Sequence, residues 1–122
     1  MITTIVKFRL PPEVSRQKWL QNSKGIAPRF QSKPGLIRKT FLFSSDGWAG
    51  GVYTWDSREA AERCHAGVWR DNLRKLYGAE PEITYFDSPV IVDNASNHKG
   101  DGSIYFYYFE INMKFRYARS IY

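Results

Sequence analysis

One cysteine, Cys64, stands among 122 residues. An internal disulfide is therefore excluded, and no second thiol is present to build a zinc knuckle. No metal-ligand set is expected. The chain also lacks any apolar run approaching the roughly 18 residues that a membrane span requires. Its N-terminus enters a strand directly, without a signal-peptide pattern, so a cytoplasmic protein with no membrane partner is expected. Acidic side chains are scarce in the first third: residues 1–40 carry nine Lys or Arg against one acid, whereas residues 41–95 carry five against nine. Such a basic segment suits an anionic ligand, the acidic middle of a second copy, or simple solvation of a helix face.

Aromatic residues, in contrast, make up 16% of the chain, which is high for a soluble protein of 14.2 kDa. This length supports one domain with a real core, and a partner subunit would increase its buried area.

The stretch from Gly50 to Gly78 is the most informative. A glycine pair lies in a β-type run ending at Trp55, Asp56 and Ser57 offer capping oxygens, and a helical pattern of about twenty residues runs to Gly78. Read as one helix, it puts Ala60, Ala61, Cys64, Val68, Trp69, Leu73 and Leu76 on the face toward a sheet. His65 and Asn72 fall within that face. They are either satisfied by backbone or water, or line a cavity beside Trp69 and Trp55.

Upstream, residues 2–10 alternate as a strand, with Ile2, Val6, Phe8 and Leu10 on one face. A helix is expected from Glu13 to about Lys24. Gly25 and Pro28 predict a break, followed by a short helical piece carrying Ile26, Ala27 and Phe30. The cleft that a kink would leave has Trp19 and Phe30 as natural walls, although both also suit a core. Leu36–Phe43 reads as the next strand, with Arg38 on one face and Lys39 on the other. Arg38 is the candidate guanidinium for an oxyanion, or else it reaches to the rim. Ser44–Gly47 is a hairpin turn into Trp48–Trp55, where Gly50 and Gly51 form a bulge or leave space beside Tyr53 and Trp55. Glu82–Asp87 is the last clear strand, and a short apolar run, Val90–Val92, follows.

The order β-α-β-β-α-β predicts an α+β ferredoxin-like sandwich: a four-stranded antiparallel sheet with helices on one face. Apolar residues on the other face predict a homodimer.

The segments TIVKFRLP, APRFQSKPGLIRKTFLFSSDG, GGVYTWDSREAA and YGAEPEITYFDSPVIVDN resemble the YdhR-type monooxygenase family of the dimeric α/β-barrel superfamily, over residues 1–94. The resemblance implies cofactor-independent oxygenation of a small aromatic or quinol-like molecule bound between helices and sheet and deprotonated there. It supplies no motif that fixes catalytic residues. By chemistry, His65 is the candidate base, Arg38 or Asn72 would hold the oxyanion, and Trp19, Phe30, Tyr53, Trp55 and Trp69 would line the substrate site. The superfamily also implies two alternatives: a non-catalytic or stress-response module for a small hydrophobic ligand, and a haem-binding member using His65.

Residues 95–122 form an atypical aromatic extension outside the resemblance. An added strand at the sheet edge or across to a partner, a segment without functional history, and a basic aromatic surface for single-stranded nucleic acid are all consistent with it. Nucleic acid ranks last, because the cations are dispersed and no recognised motif is present.

Overall fold

The computed structural model describes residues 1–94, 106–109 and 115–118. The chain divides into two units, Met1–Val90 and Ile91–Tyr122. In the first, the elements are β1 (Ile2–Arg9), α1 (Arg16–Gln31), β2 (Leu36–Phe43), β3 (Trp48–Trp55), α2 (Arg58–Cys64), α3 (Val68–Tyr77) and β4 (Glu82–Asp87). The four strands form one antiparallel sheet in the order β2-β3-β1-β4. This is the ferredoxin-like topology that the sequence pattern predicts. In the second unit, β5 (Phe106–Phe109) and β6 (Phe115–Ala118) pair antiparallel with each other. The rest of the 95–122 extension, including His98, lies outside the described residues.

Alternation in β1 sets the two faces of the sheet. Thr4, Val6 and Phe8 are buried, as is Leu10 just beyond the strand, while Ile5, Lys7 and Arg9 are exposed. In β3 the buried partners are Ala49, Gly51, Tyr53 and Trp55. Trp55, Val6 and Thr4 are the largest fully enclosed side chains, so the core lies on the helix-covered face around the β1–β3 pair. The opposite face leaves Ile5 and Phe86 exposed, and it also carries Trp48, over which the Lys7 and Arg9 side chains lie at 4.9 and 4.3 Å.

The β1–β3 register runs unshifted through Lys7↔Gly50 and Val6↔Gly51, so the glycine pair forms no bulge. Gly50 answers a different demand. A Cβ there would sit 1.8 Å from the Val6 carbonyl oxygen, which is backbone and has no rotamer to move. The irregularity falls in β2, between Leu36 and Arg38. It pushes Ile37 out to 54% exposure and lets Leu36 join Phe41 and Phe43 against the core. The conflicting faces of LIRKTFLF are resolved by that extra residue.

Helix α1 differs from the expected break. Ser15 caps it, its hydroxyl accepting from the Lys18 amide, and the helix continues through Gly25 and Pro28 to Gln31. Pro28 lies in the last turn, where only one intrahelical bond is forfeited, and Trp19, Ser23 and Ala27 at i, i+4 and i+8 anchor a continuous buried face. The second helical region departs the other way. The expected single helix is two, because Gly67 adopts φ 60° and the residues between Cys64 and Val68 reset the helical phase. Val68 and Leu76, expected to face the sheet, are 72% and 51% exposed, and the inward face of α3 is Trp69, Leu73 and Tyr77. Val90–Val92 is exposed and forms no strand.

These glycine roles separate in urea unfolding. Gly50→Ala is expected to lose more than about 3 kcal/mol or to fail to fold, since the clash is with backbone. Gly67→Ala, with open space around its Cβ and only the positive φ of 60° and ψ of -118° to oppose it, should lose about 1–3 kcal/mol. A wild-type midpoint for Gly50→Ala would contradict the β1–β3 approach described here.

Candidate functional site

Chain geometry brings a ring-lined polar cluster together on the covered face, at the Thr4 end of β1. His65 caps the C-terminus of α2, its amide donating to the Ala61 carbonyl at 3.0 Å. The break that follows turns its imidazole inward, where it is 3% exposed. Ring centroids of Trp69, Tyr53, Trp55 and Tyr85 lie 4.5, 4.8, 5.6 and 6.4 Å from it. Tyr53 and Trp55 stack at 5.7 Å, and Phe30 meets Tyr53 edge-on at 6.1 Å.

Thr4 ties this box together. Its Oγ1 accepts from the Trp55 indole N–H at 2.9 Å and lies 2.9 Å from His65 Nε2. The hydroxyl is fully buried, so its proton needs an acceptor, and Nε2 is the one in reach. This assigns the Nδ1–H tautomer to a neutral His65. Among the described residues Nδ1 has no hydrogen-bond partner. Burial lowers the imidazole pKa to about 4, with the charges of Lys39 and Arg70 acting in the same direction. Trp69 donates from its indole to the Tyr53 hydroxyl at 3.3 Å, and burial raises the phenol pKa.

Two of the expected site residues fall elsewhere. Arg38 pairs in register with Thr54 and is exposed on the uncovered face of the sheet, away from the box. Asn72 is exposed on α3, because the break before that helix cancels the i, i+7 relation to His65. Trp19 packs with Phe8, Tyr77 and Phe41, in the core cluster toward the Leu10 end. Phe30, Tyr53, Trp55 and Trp69 do assemble around or next to His65. A cleft of about 510 Å³ opens between Arg9, Pro11, Val14, Phe43 and Asp46, and none of these candidate residues lines it.

The inward cation is Lys39. It pairs with Tyr53, is half-buried, and holds its ammonium 3.5, 4.0 and 4.7 Å from the ring centroids of Phe30, Phe41 and Tyr53. Desolvation by burial is the largest influence on the amine and lowers its pKa to about 7. Nearby Cys64 pulls the pKa upward and nearby Lys33 pushes it further down. Burial also raises the Cys64 thiol pKa, which weakens that upward pull at neutral pH. Strand alternation had already placed Lys39 with Phe41 and Phe43. Thr4 likewise stood as a lone polar residue among Ile2, Val6, Phe8 and Leu10. Among the described residues no group of His, Cys, Asp and Glu could hold a metal ion. No helix there is long and apolar enough to cross a membrane.

No family model and no curated protein matches this chain. Solved structures do. SnoaB, a cofactor-independent oxygenase from Streptomyces nogalater, aligns over 75% of this chain and 95% of its own at 18% identity, with a TM-score of 0.56. The ActVA-Orf6 monooxygenase of Streptomyces coelicolor, solved with nanaomycin D, aligns over 77% and 92% at 16% identity and a TM-score of 0.58. NE2512, a protein of unknown function from Nitrosomonas europaea, gives 77%, 94%, 12% and 0.62. At such identities the likeness establishes the fold.

The buried imidazole makes stability depend on pH with a definite sign. Its folded pKa, about 4, lies below the ordinary 6.5, so on acidification the unfolded chain takes up the proton first. This group's penalty is absent above pH 6.5 and grows as pH falls toward 4. Between about pH 7 and pH 5 the loss should be on the order of 1–2 kcal/mol, and His65→Gln should flatten that dependence. Thr4→Val, which strands the Trp55 N–H and His65 Nε2, should cost about 1–3 kcal/mol in urea unfolding at neutral pH.

Proposed function

We propose that this protein is a cofactor-independent monooxygenase for a small aromatic or quinol-like substrate, working as a cytoplasmic homodimer and related to the YdhR-type members of the superfamily. The observation that carries this reading is the ring-walled polar cluster on the covered face, where desolvated polar side chains meet the rings of Phe30, Tyr53 and Trp69. Such groups exchange protons with an enol or phenol without a metal or flavin. The fold shared with SnoaB and ActVA-Orf6, one named as a cofactor-independent oxygenase and the other as a monooxygenase, supports the same chemistry.

In this scheme a substrate methylene next to an electron-rich ring loses a proton, and its carbanion adds to dioxygen. Return of the proton gives a hydroperoxide, which loses water to leave a carbonyl. One oxygen atom enters the product and the other leaves as water. His65 serves as a neutral imidazole that, through Thr4, keeps Trp55 and the stacked Tyr53 in place. Arg38 and Asn72 have a part only if the second subunit brings them to the site, since both are exposed in one chain. Haem ligation fits less well. Four rings enclose His65, and its Nε2 is engaged by Thr4.

The uncovered sheet face, which carries Ile5, Phe86 and Trp48, supports the homodimer. Light scattering at micromolar concentration should return twice the chain mass of 14.2 kDa. A monomer would contradict the assembly. For activity, metal-stripped full-length protein is tested for oxygen uptake with a panel of anthrones and dihydroxynaphthalenes. Uptake is expected, with kcat/KM reduced roughly tenfold to a hundredfold in Trp69→Ala. A folded protein without uptake across the panel would overturn the reading in favour of a non-catalytic ligand carrier.

A further inference from the structure

His65 lies among the rings, yet its geometry does not suit a base. Nε2 is engaged by Thr4 and the ring is 3% exposed. Lys39 is arranged differently. It lies one strand over from Tyr53, shares the covered face with Phe41, and keeps part of its surface accessible. Gly51 leaves room beside it, since a Cβ there would stand 3.2 Å from the Thr40 carbonyl oxygen and the Tyr53 ring and 3.4 Å from Lys39 Cε. Among the described residues no carboxylate pairs with Lys39. Its ammonium instead meets the faces of three rings, Phe30, Phe41 and Tyr53. Rings that hold an amine in this way also offer an apolar surface to a planar aromatic ligand.

We propose that Lys39 is the residue that takes the substrate's proton, and that its ammonium then holds the resulting phenolate or enolate oxygen. The inference rests on the oxygenase reading above and names the group that reading leaves open. Neutral Lys39 Nζ accepts the proton, the substrate keeps the electron pair, and the ammonium–oxyanion contact replaces the missing carboxylate. After dioxygen adds, the same ammonium returns its proton to the peroxide anion, so the amine is regenerated. Burial supports this role, because an amine with a pKa near 7 is substantially neutral at working pH, which an exposed lysine is not.

Two readouts on the full-length chain test the inference. In the first, kcat/KM for oxygen uptake is measured against pH in wild type, Lys39→Met and Lys39→Arg. Wild-type activity should rise with pH through about 7, following loss of the Lys39 proton. Lys39→Met should lose about a hundredfold or more, while Lys39→Arg, cationic but unable to accept a proton, should keep KM within about threefold and lose kcat. Activity within twofold of wild type in both variants, with an unchanged pH profile, would overturn the role of Lys39 and leave the oxygenase reading standing.

The second readout needs no turnover. Para-nitrophenol, whose phenolate is yellow, is titrated with each protein at several pH values. Bound to wild type, it should ionise at lower pH than in free solution, and Lys39→Met should abolish that shift. No binding by wild type, or binding without the shift, would overturn the inference even if the protein consumes oxygen with another substrate.

Discussion

Exclusion of water from the helix-covered face of the sheet is the constraint on which the rest of this structure depends. Burying a polar group there is costly unless it is hydrogen-bonded or uncharged. Thr4 meets the first condition, with Trp55 donating to its hydroxyl and His65 taking its proton. His65 and Lys39 meet the second through lowered pKa values, for which burial is the largest cause in each case. Desolvation thus sets which groups can accept protons at neutral pH, and the surrounding rings set what kind of molecule would bring one. The hydrogen bonds of Thr4 also couple the first strand to the box, so stability and site geometry rest on the same atoms.

The ferredoxin-like topology was legible because its signals are local. Period-2 alternation in β1, the turn at Ser44–Gly47 and the capping serine before Arg58 each specify an element without reference to the others. The errors arose where tertiary packing outvoted a local signal. Pro28 predicts a break, yet the buried face through Trp19, Ser23 and Ala27 carries α1 past it. Gly67 stands within a helical pattern that scores as continuous, and its left-handed backbone divides α2 from α3. The second error changed the helical phase that follows it. It put Asn72 on the face of His65, although the observed phase leaves Asn72 exposed.

The choice between Arg38 and Lys39 shows a related limit. Both cations lie on a strand whose two faces are each partly apolar, and a guanidinium is the more familiar oxyanion partner. The β2–β3 register decides between them: Lys39 pairs with Tyr53 on the covered face and Arg38 with Thr54 on the uncovered one. Aromatic content was plain in the composition, but its division was not. Trp19 belongs to the Phe8–Tyr77 cluster, whereas Trp55 and Trp69 belong to the His65 box.

The central claim is that this fold carries out oxygen chemistry with side chains alone, and isotope transfer tests it most directly. Metal-stripped full-length protein is given an anthrone under isotopically labelled dioxygen, and the quinone formed is examined by mass spectrometry. The account predicts one labelled oxygen atom in the product at the oxidised carbon, with label also appearing in water. A quinone whose new oxygen comes from solvent, or formation no faster than without protein, would contradict it.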